Sequence, residues 1–64
     1  MRKRLIELRK QKGYSQVEVA EIIGSKRSNY SSYETGRRNP TLETAERLTV
    51  LLGEKDIIKL FKNE

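Results

Sequence analysis

Residues 15 to 33 run Ser15-Gln16-Val17-Glu18-Val19-Ala20-Glu21-Ile22-Ile23-Gly24-Ser25-Lys26-Arg27-Ser28-Asn29-Tyr30-Ser31-Ser32-Tyr33. Ser15 with Glu18 three residues on predicts a reciprocal helix cap, the serine oxygen accepting from a free backbone N–H and the carboxylate reaching back. Val19, Ala20 and Ile23 recur at helical spacing and predict one buried face. Ala20 is small enough there to let a second helix approach closely. Gly24 can adopt the positive φ that ends the first helix and reverses the chain. In the second half Tyr30 and Tyr33 point inward, leaving Lys26, Arg27, Ser28, Asn29, Ser31 and Ser32 outside.

Two short helices meeting at so tight a corner read as a helix-turn-helix, placed here at residues 15 to 34. A solvated helix face normally mixes both charge signs. This outer face has two cations, several short hydrogen-bonding side chains and no carboxylate, which suits phosphates and the edges of bases better than water alone.

Working outward, the 64 residues are expected to form one domain, and a chain this short buries only about 60% of its unfolded surface, which favours a small helical core. With no cysteine and no histidine, the chain has no disulfide, no thiolate or imidazole metal site and no Ser-His or Cys-His nucleophile pair. The expectation is therefore no enzyme, no metal, no cofactor and no small-molecule ligand. No apolar run approaches a membrane span, and no signal-peptide-like segment follows Met1, so a cytoplasmic location without membrane association is expected.

The net charge of +5 is segregated. Residues 1 to 12 carry six cations against Glu7, and residues 25 to 38 carry four against Glu34, while residues 13 to 24 and 39 to 64 are both net negative. Concentrated basic charge is the electrostatic footprint of a polyanion partner.

The first helix is expected over about Arg2 to Lys12, with Leu5, Leu8 and the stem of Lys12 inward and Gly13 as the stop. Arg2, Lys3, Arg4 and Lys10 read as exterior. Arg9 lies beside the apolar stripe, where it either snorkels along the core or pairs with an acid from another helix. Tyr14 precedes the Ser15 cap at the staple position. Gln16 opens the second helix, where free N–H groups and the positive dipole end favour an anion.

After the third helix, Glu34-Thr35-Gly36-Arg37-Arg38-Asn39-Pro40 reads as a polar loop exposing two arginines. Thr41 caps a fourth helix with Leu42, Ala45, Leu48, Leu51 and Leu52 on its apolar face, ending at Gly53. A last helix is expected over about Lys55 to Lys62, with Ile57, Leu60 and Phe61 inward. Ile58 falls off that face and, with Val50 or Ile22, is a candidate dimer contact.

Leu5-x-x-Leu8-Arg9, Gly13-Tyr14-Ser15-Gln16, Val19-Ala20, Ile23-Gly24, Ser31-x-Tyr33-Glu34-x-Gly36-Arg37-Arg38-Asn39-Pro40 and Leu42-Glu43-Thr44-Ala45, in this order and spacing, strongly resemble the Xre-type helix-turn-helix family, the domain of the lambda and Cro repressors. The resemblance covers about residues 2 to 61. It implies an all-α fold, a compact bundle of five short helices whose third helix enters the DNA major groove. Carried onto this chain, the base-reading positions are Arg27, Ser28 and Ser32. The phosphate-binding positions are Gln16, Arg37 and Arg38, flanked by Lys26, Asn29 and Ser31, and Arg9 and Glu34 match an internal ion pair.

The chain departs from the family pattern in three places. Ser25 and Lys26 replace an apolar residue and a Ser/Thr cap, which leaves the start of the third helix open by one residue. Tyr30 replaces a branched aliphatic, and Glu54 is one residue more than usual before the last helix.

The function implied is a sequence-specific regulator of transcription that binds double-stranded DNA. A small repressor is expected, acting as a homodimer, formed in solution or only on DNA, over a pseudopalindromic operator. With no room for an effector domain, regulation is expected to come from binding itself, from concentration or from a separate partner. The alternative is an antitoxin or other protein-interaction module built on the same fold.

Overall fold

Leu5 and Leu8, three residues apart, commit the N-terminal segment to a helix by placing both side chains on one buried stripe. In the computed structural model, which describes residues 1–62, that helix is α1 (Lys3–Gln11), with Arg9 and Lys10 in its last turn, where positive charge complements the exposed carbonyls. It is followed by α2 (Gln16–Ile22), α3 (Arg27–Thr35), α4 (Leu42–Leu52) and α5 (Ile57–Leu60), with no strand among the described residues. The described chain measures 23 × 23 × 20 Å.

Local chemistry sets most of the helix ends. Glu18 N–H donates to Ser15 Oγ at 3.1 Å and Ser15 N–H donates to Glu18 Oε1 at 2.9 Å, a complete capping box at the head of α2. Thr41 Oγ1 accepts from Thr44 N–H at 3.2 Å and starts α4. Between α2 and α3 the chain turns through Gly24 at φ +72°, and Ser25 N–H donates to Ala20 O at 2.8 Å. At φ +72° a Cβ would strain the backbone, so glycine is the residue this corner requires. α3 starts at Arg27 with Lys26 as its cap residue, although the lysine supplies no side-chain hydrogen bond.

The core is a single cluster of Leu5, Leu8, Val19, Ala20, Ile23, Tyr30, Leu48, Leu52 and Leu60, against which Tyr14, Tyr33, Leu51 and Phe61 pack partly buried. Each fully buried aliphatic or aromatic side chain contributes about 1.5 to 3 kcal/mol relative to exposure, so removing any one would be felt in so small a domain. Ala20 is buried where α2 meets α3. Tyr30 is 0% exposed and crosses Tyr33 edge-on at 6.3 Å and 86°.

The structure corrects several expectations. α5 is four residues long rather than eight: at its start Glu54 Oε1 accepts from the N–H groups of Lys55 and Asp56, holding them in a turn, and Asp56 Oδ1 caps the helix at Ile58, while at its end Phe61 is already the non-helical cap residue. Leu42 is exposed, since the first turn of α4 projects beyond the core, and Lys12 is exposed as the cap residue of α1. The largest correction concerns Arg2, which is not exterior. It is 2% exposed and precedes α1 as its cap residue.

Candidate nucleic-acid interface

α3 presents Lys26, Arg27 and Ser28 at its N-terminal end, all exposed, and neither cation has a hydrogen-bond or ion-pair partner among the described residues. Ser31 and Ser32 lie one turn on and are half-buried. The Ser32 hydroxyl donates to Ser28 O at 3.0 Å, which ties the donor to its own helix and leaves oxygen lone pairs to accept.

Past the other end of α3, Gly36 takes φ +85° and turns the chain into the loop that carries Arg37 and Arg38. Arg37 is exposed and unpaired among the described residues. Arg38 is exposed too, but its Nη1 donates to Asn29 Oδ1 at 3.0 Å, so this arginine and the half-buried asparagine are ordered together across the outer side of α3.

Glu34 is the sole carboxylate between residues 25 and 38, and it faces inward. Its Oε2 accepts from Arg9 Nε at 2.6 Å, and its Oε1 accepts from Gln16 Nε2 at 2.9 Å. Arg9 Nη1 also donates to Tyr14 O at 2.9 Å. Burial pulls the Arg9 pKa down, but the hydrogen bond and charge of Glu34 outweigh it and the net shift is upward. The acid of α3 is therefore neutralised internally, and the outer face keeps only positive charge. Gln16 is partly committed to the same carboxylate, with one amide hydrogen left for a ligand.

Sequence reading missed Arg2. Its Nη1 donates to Tyr33 O at 2.8 Å and to Arg38 O at 2.7 Å, its Nε donates to Phe61 O at 3.0 Å, and its Nη2 donates to Asn39 Oδ1. The guanidinium carbon also lies 5.5 Å from the centre of the Phe61 ring. Burial lowers the Arg2 pKa, but an arginine starts so high that it stays charged. A signal was available: Arg2 is three residues before Leu5 and seven before Arg9, on the inward stripe of α1.

Two short helices joined by a tight corner through Gly24, the second with an exposed basic end, make a helix-turn-helix, and the helix-turn-helix family model matches residues 5–60. The chain belongs to the Xre-type, lambda-repressor-like helix-turn-helix family. Among the relatives of this family member, the SPbeta prophage-derived uncharacterized HTH-type transcriptional regulator YonR of Bacillus subtilis is 42% identical over 50 residues, covering 78% of this chain and 46% of YonR. The cryptic phage CTXphi transcriptional repressor RstR of Vibrio cholerae is 40% identical over 47 residues, covering 73% of this chain and 42% of RstR. An uncharacterized HTH-type transcriptional regulator of Methanothermobacter thermautotrophicus is 38% identical over 61 residues, covering 95% of this chain and 88% of that protein. The helix-turn-helix chain thus spans less than half the length of YonR and RstR. No solved structure matches it. Among the described residues, no helix is long and apolar enough to cross a membrane.

Proposed function

We propose that this helix-turn-helix protein is a sequence-specific regulator that binds double-stranded DNA through the major groove and acts as a repressor by occupying an operator. One observation carries the reading: Glu34, the lone acid of residues 25 to 38, is buried against Arg9, so α3 and its following loop offer a DNA strand only cations and neutral polar groups. Arg27, Ser28 and Ser32 are assigned to base edges. Gln16, Lys26, Asn29, Ser31, Arg37 and Arg38 are assigned to the phosphates on either side.

A single short helix reads few base pairs, so the working form is taken as a homodimer on a pseudopalindromic site with half-site centres about 34 to 36 Å apart. Two copies at that spacing would meet through a small surface patch. Ile58 and Val50, 79% and 83% exposed, are apolar residues free for such a contact. So slim a contact favours assembly on the DNA.

The second reading, a protein-interaction module such as an antitoxin, is favoured by one feature. Ile22, Leu42 and Val50 are exposed along a groove between α2 and α4 that has about 750 Å³ of open volume. Selection of duplexes from a random pool by the purified protein tests both. Recovery of a two-fold symmetric consensus, with affinity falling steeply as salt rises, is the expected result. Absence of any enriched or salt-dependent duplex would remove the DNA-binding reading and leave the module.

A further inference from the structure

The buried Arg2 guanidinium lies at the edge of the core, and most of its partners belong to the end of α3 and the loop that follows it. The last four carbonyls of a helix have no partner within it. At the C-terminal end of α3, Arg2 supplies partners for two of them: its side chain donates to Tyr33 O at 2.8 Å and its backbone N–H donates to Glu34 O at 2.8 Å. The same guanidinium holds Arg38 O and the Asn39 side chain. Its remaining anchor is Phe61, whose carbonyl it bonds and whose ring it stacks on.

We infer that Arg2 is the positioning residue of the DNA-binding loop: it caps α3 from the opposite end of the chain and fixes the backbone from which Arg37 and Arg38 reach the phosphates. The inference rests on the DNA-binding reading above. Arginine is suited to this position because one planar fork must satisfy acceptors in several directions at once, while its positive charge complements the negative end of α3. Lysine keeps the charge but is a point donor, and it cannot hold the loop, the helix end and Phe61 together. Because the loop carries phosphate contacts and Arg27 sits at the far end of α3, losing the clamp lowers affinity for all sequences and leaves base preference intact.

The test compares the full chain with Arg2→Met and Arg2→Lys on the selected duplex and on a scrambled duplex, across a salt series, at a temperature where circular dichroism shows each protein folded. The expected result for both variants is an affinity loss of about tenfold or more on both duplexes, with the slope of log affinity against log salt shallower by about 1 per protomer. The ratio between the duplexes stays at the wild-type value. A folded variant with wild-type affinity and slope overturns the inference while leaving the DNA-binding reading intact. A folded variant that loses affinity at unchanged slope, or that loses the ratio between duplexes, also overturns it. Wild-type protein that binds neither duplex overturns both.

If Arg2→Met does not fold, Phe61→Leu decides, since it removes the ring behind the guanidinium at a residue remote from the proposed contacts. A roughly threefold loss on both duplexes with a shallower slope supports the clamp. Wild-type binding by Phe61→Leu overturns it.

Discussion

Glu34 is the hub of the interior polar network: one carboxylate oxygen lies 2.6 Å from Arg9 Nε and the other lies 2.9 Å from Gln16 Nε2. A single side chain of α3 thereby joins the last turn of α1 to the first turn of α2. Its burial matters energetically because each ion has left water, and a partner removed leaves the other charge uncompensated.

Glu34→Ala is predicted to cost about 3 to 5 kcal/mol, a large share of the stability of a small domain. Chemical denaturation of the variant and the wild type checks this. An unchanged midpoint would mean that the pair is solvated in solution and contributes little.

Tyr30 makes the opposite case. Its ring is fully buried, and its hydroxyl lies beside the Glu34 carboxylate and the Arg9 guanidinium without forming a well-aligned hydrogen bond to either. Burial first, and the nearby Glu34 carboxylate second, push the phenol pKa far up, so the group stays neutral. Tyr30→Phe keeps the ring and drops an unsatisfied polar atom, so it is predicted to range from neutral to about 1 kcal/mol more stable. A thermal midpoint lowered by several degrees would show that the hydroxyl has a partner in solution.

The α2 cap ties stability to pH. Hydrogen bonds to Glu18 from the Ser15 backbone, and then from its side chain, hold the carboxyl below its ordinary value of 4.5, and Arg4 does the same for Glu54. Both folded pKa values lie below the unfolded ones, so the stabilisation is present above pH 4.5 and is lost as pH falls through the folded values. The thermal midpoint should therefore decline below pH 4.5, and Glu18→Ala should lie below wild type at neutral pH with a gap that narrows on acidification. A gap that stays constant down to acid pH would rule out the carboxylate as its source.

Arg27 and Arg37 should separate by what they read. Arg27 stands at the N-terminal end of α3 with no side-chain partner among the described residues, and its fork matches the N7 and O6 acceptors of guanine. Arg27→Ala is predicted to cost about 1 to 3 kcal/mol on the selected duplex and to relax one base position per half-site. Arg37→Ala should weaken selected and scrambled duplexes alike and lower the salt slope by about 1 per protomer. Equal losses on both duplexes for Arg27→Ala would make it a phosphate contact instead.

Much of this molecule was already decided by short-range pattern. The Ser15–Glu18 box, the Thr41 cap and the glycine after each of the first four helices are local signals, because a cap or a positive φ depends on a few neighbouring residues. The spacing of Leu5 and Leu8 and of Val19, Ala20 and Ile23 set the buried faces by the same short-range logic. The exposed basic end of α3 followed from composition and period together.

Contacts between distant residues were decided only by the tertiary structure. For Arg9 the sequence leaves snorkelling and an acid partner both open, and family resemblance points to Glu34, but the part of Gln16 in the same network depends on how α2 packs against α3. The late start of α5 reflects a competition for backbone donors at Glu54 and Asp56, which helix periodicity does not register. Arg2 is the clearest instance. Its charge reads as solvated surface, its spacing from Leu5 hints only at an inward direction, and it is buried because four acceptors, 31 to 59 residues away along the chain, converge on its guanidinium when the helices pack. Burying such a charge is favourable only where those acceptors replace water, a condition met in three dimensions and unreadable from the residue itself.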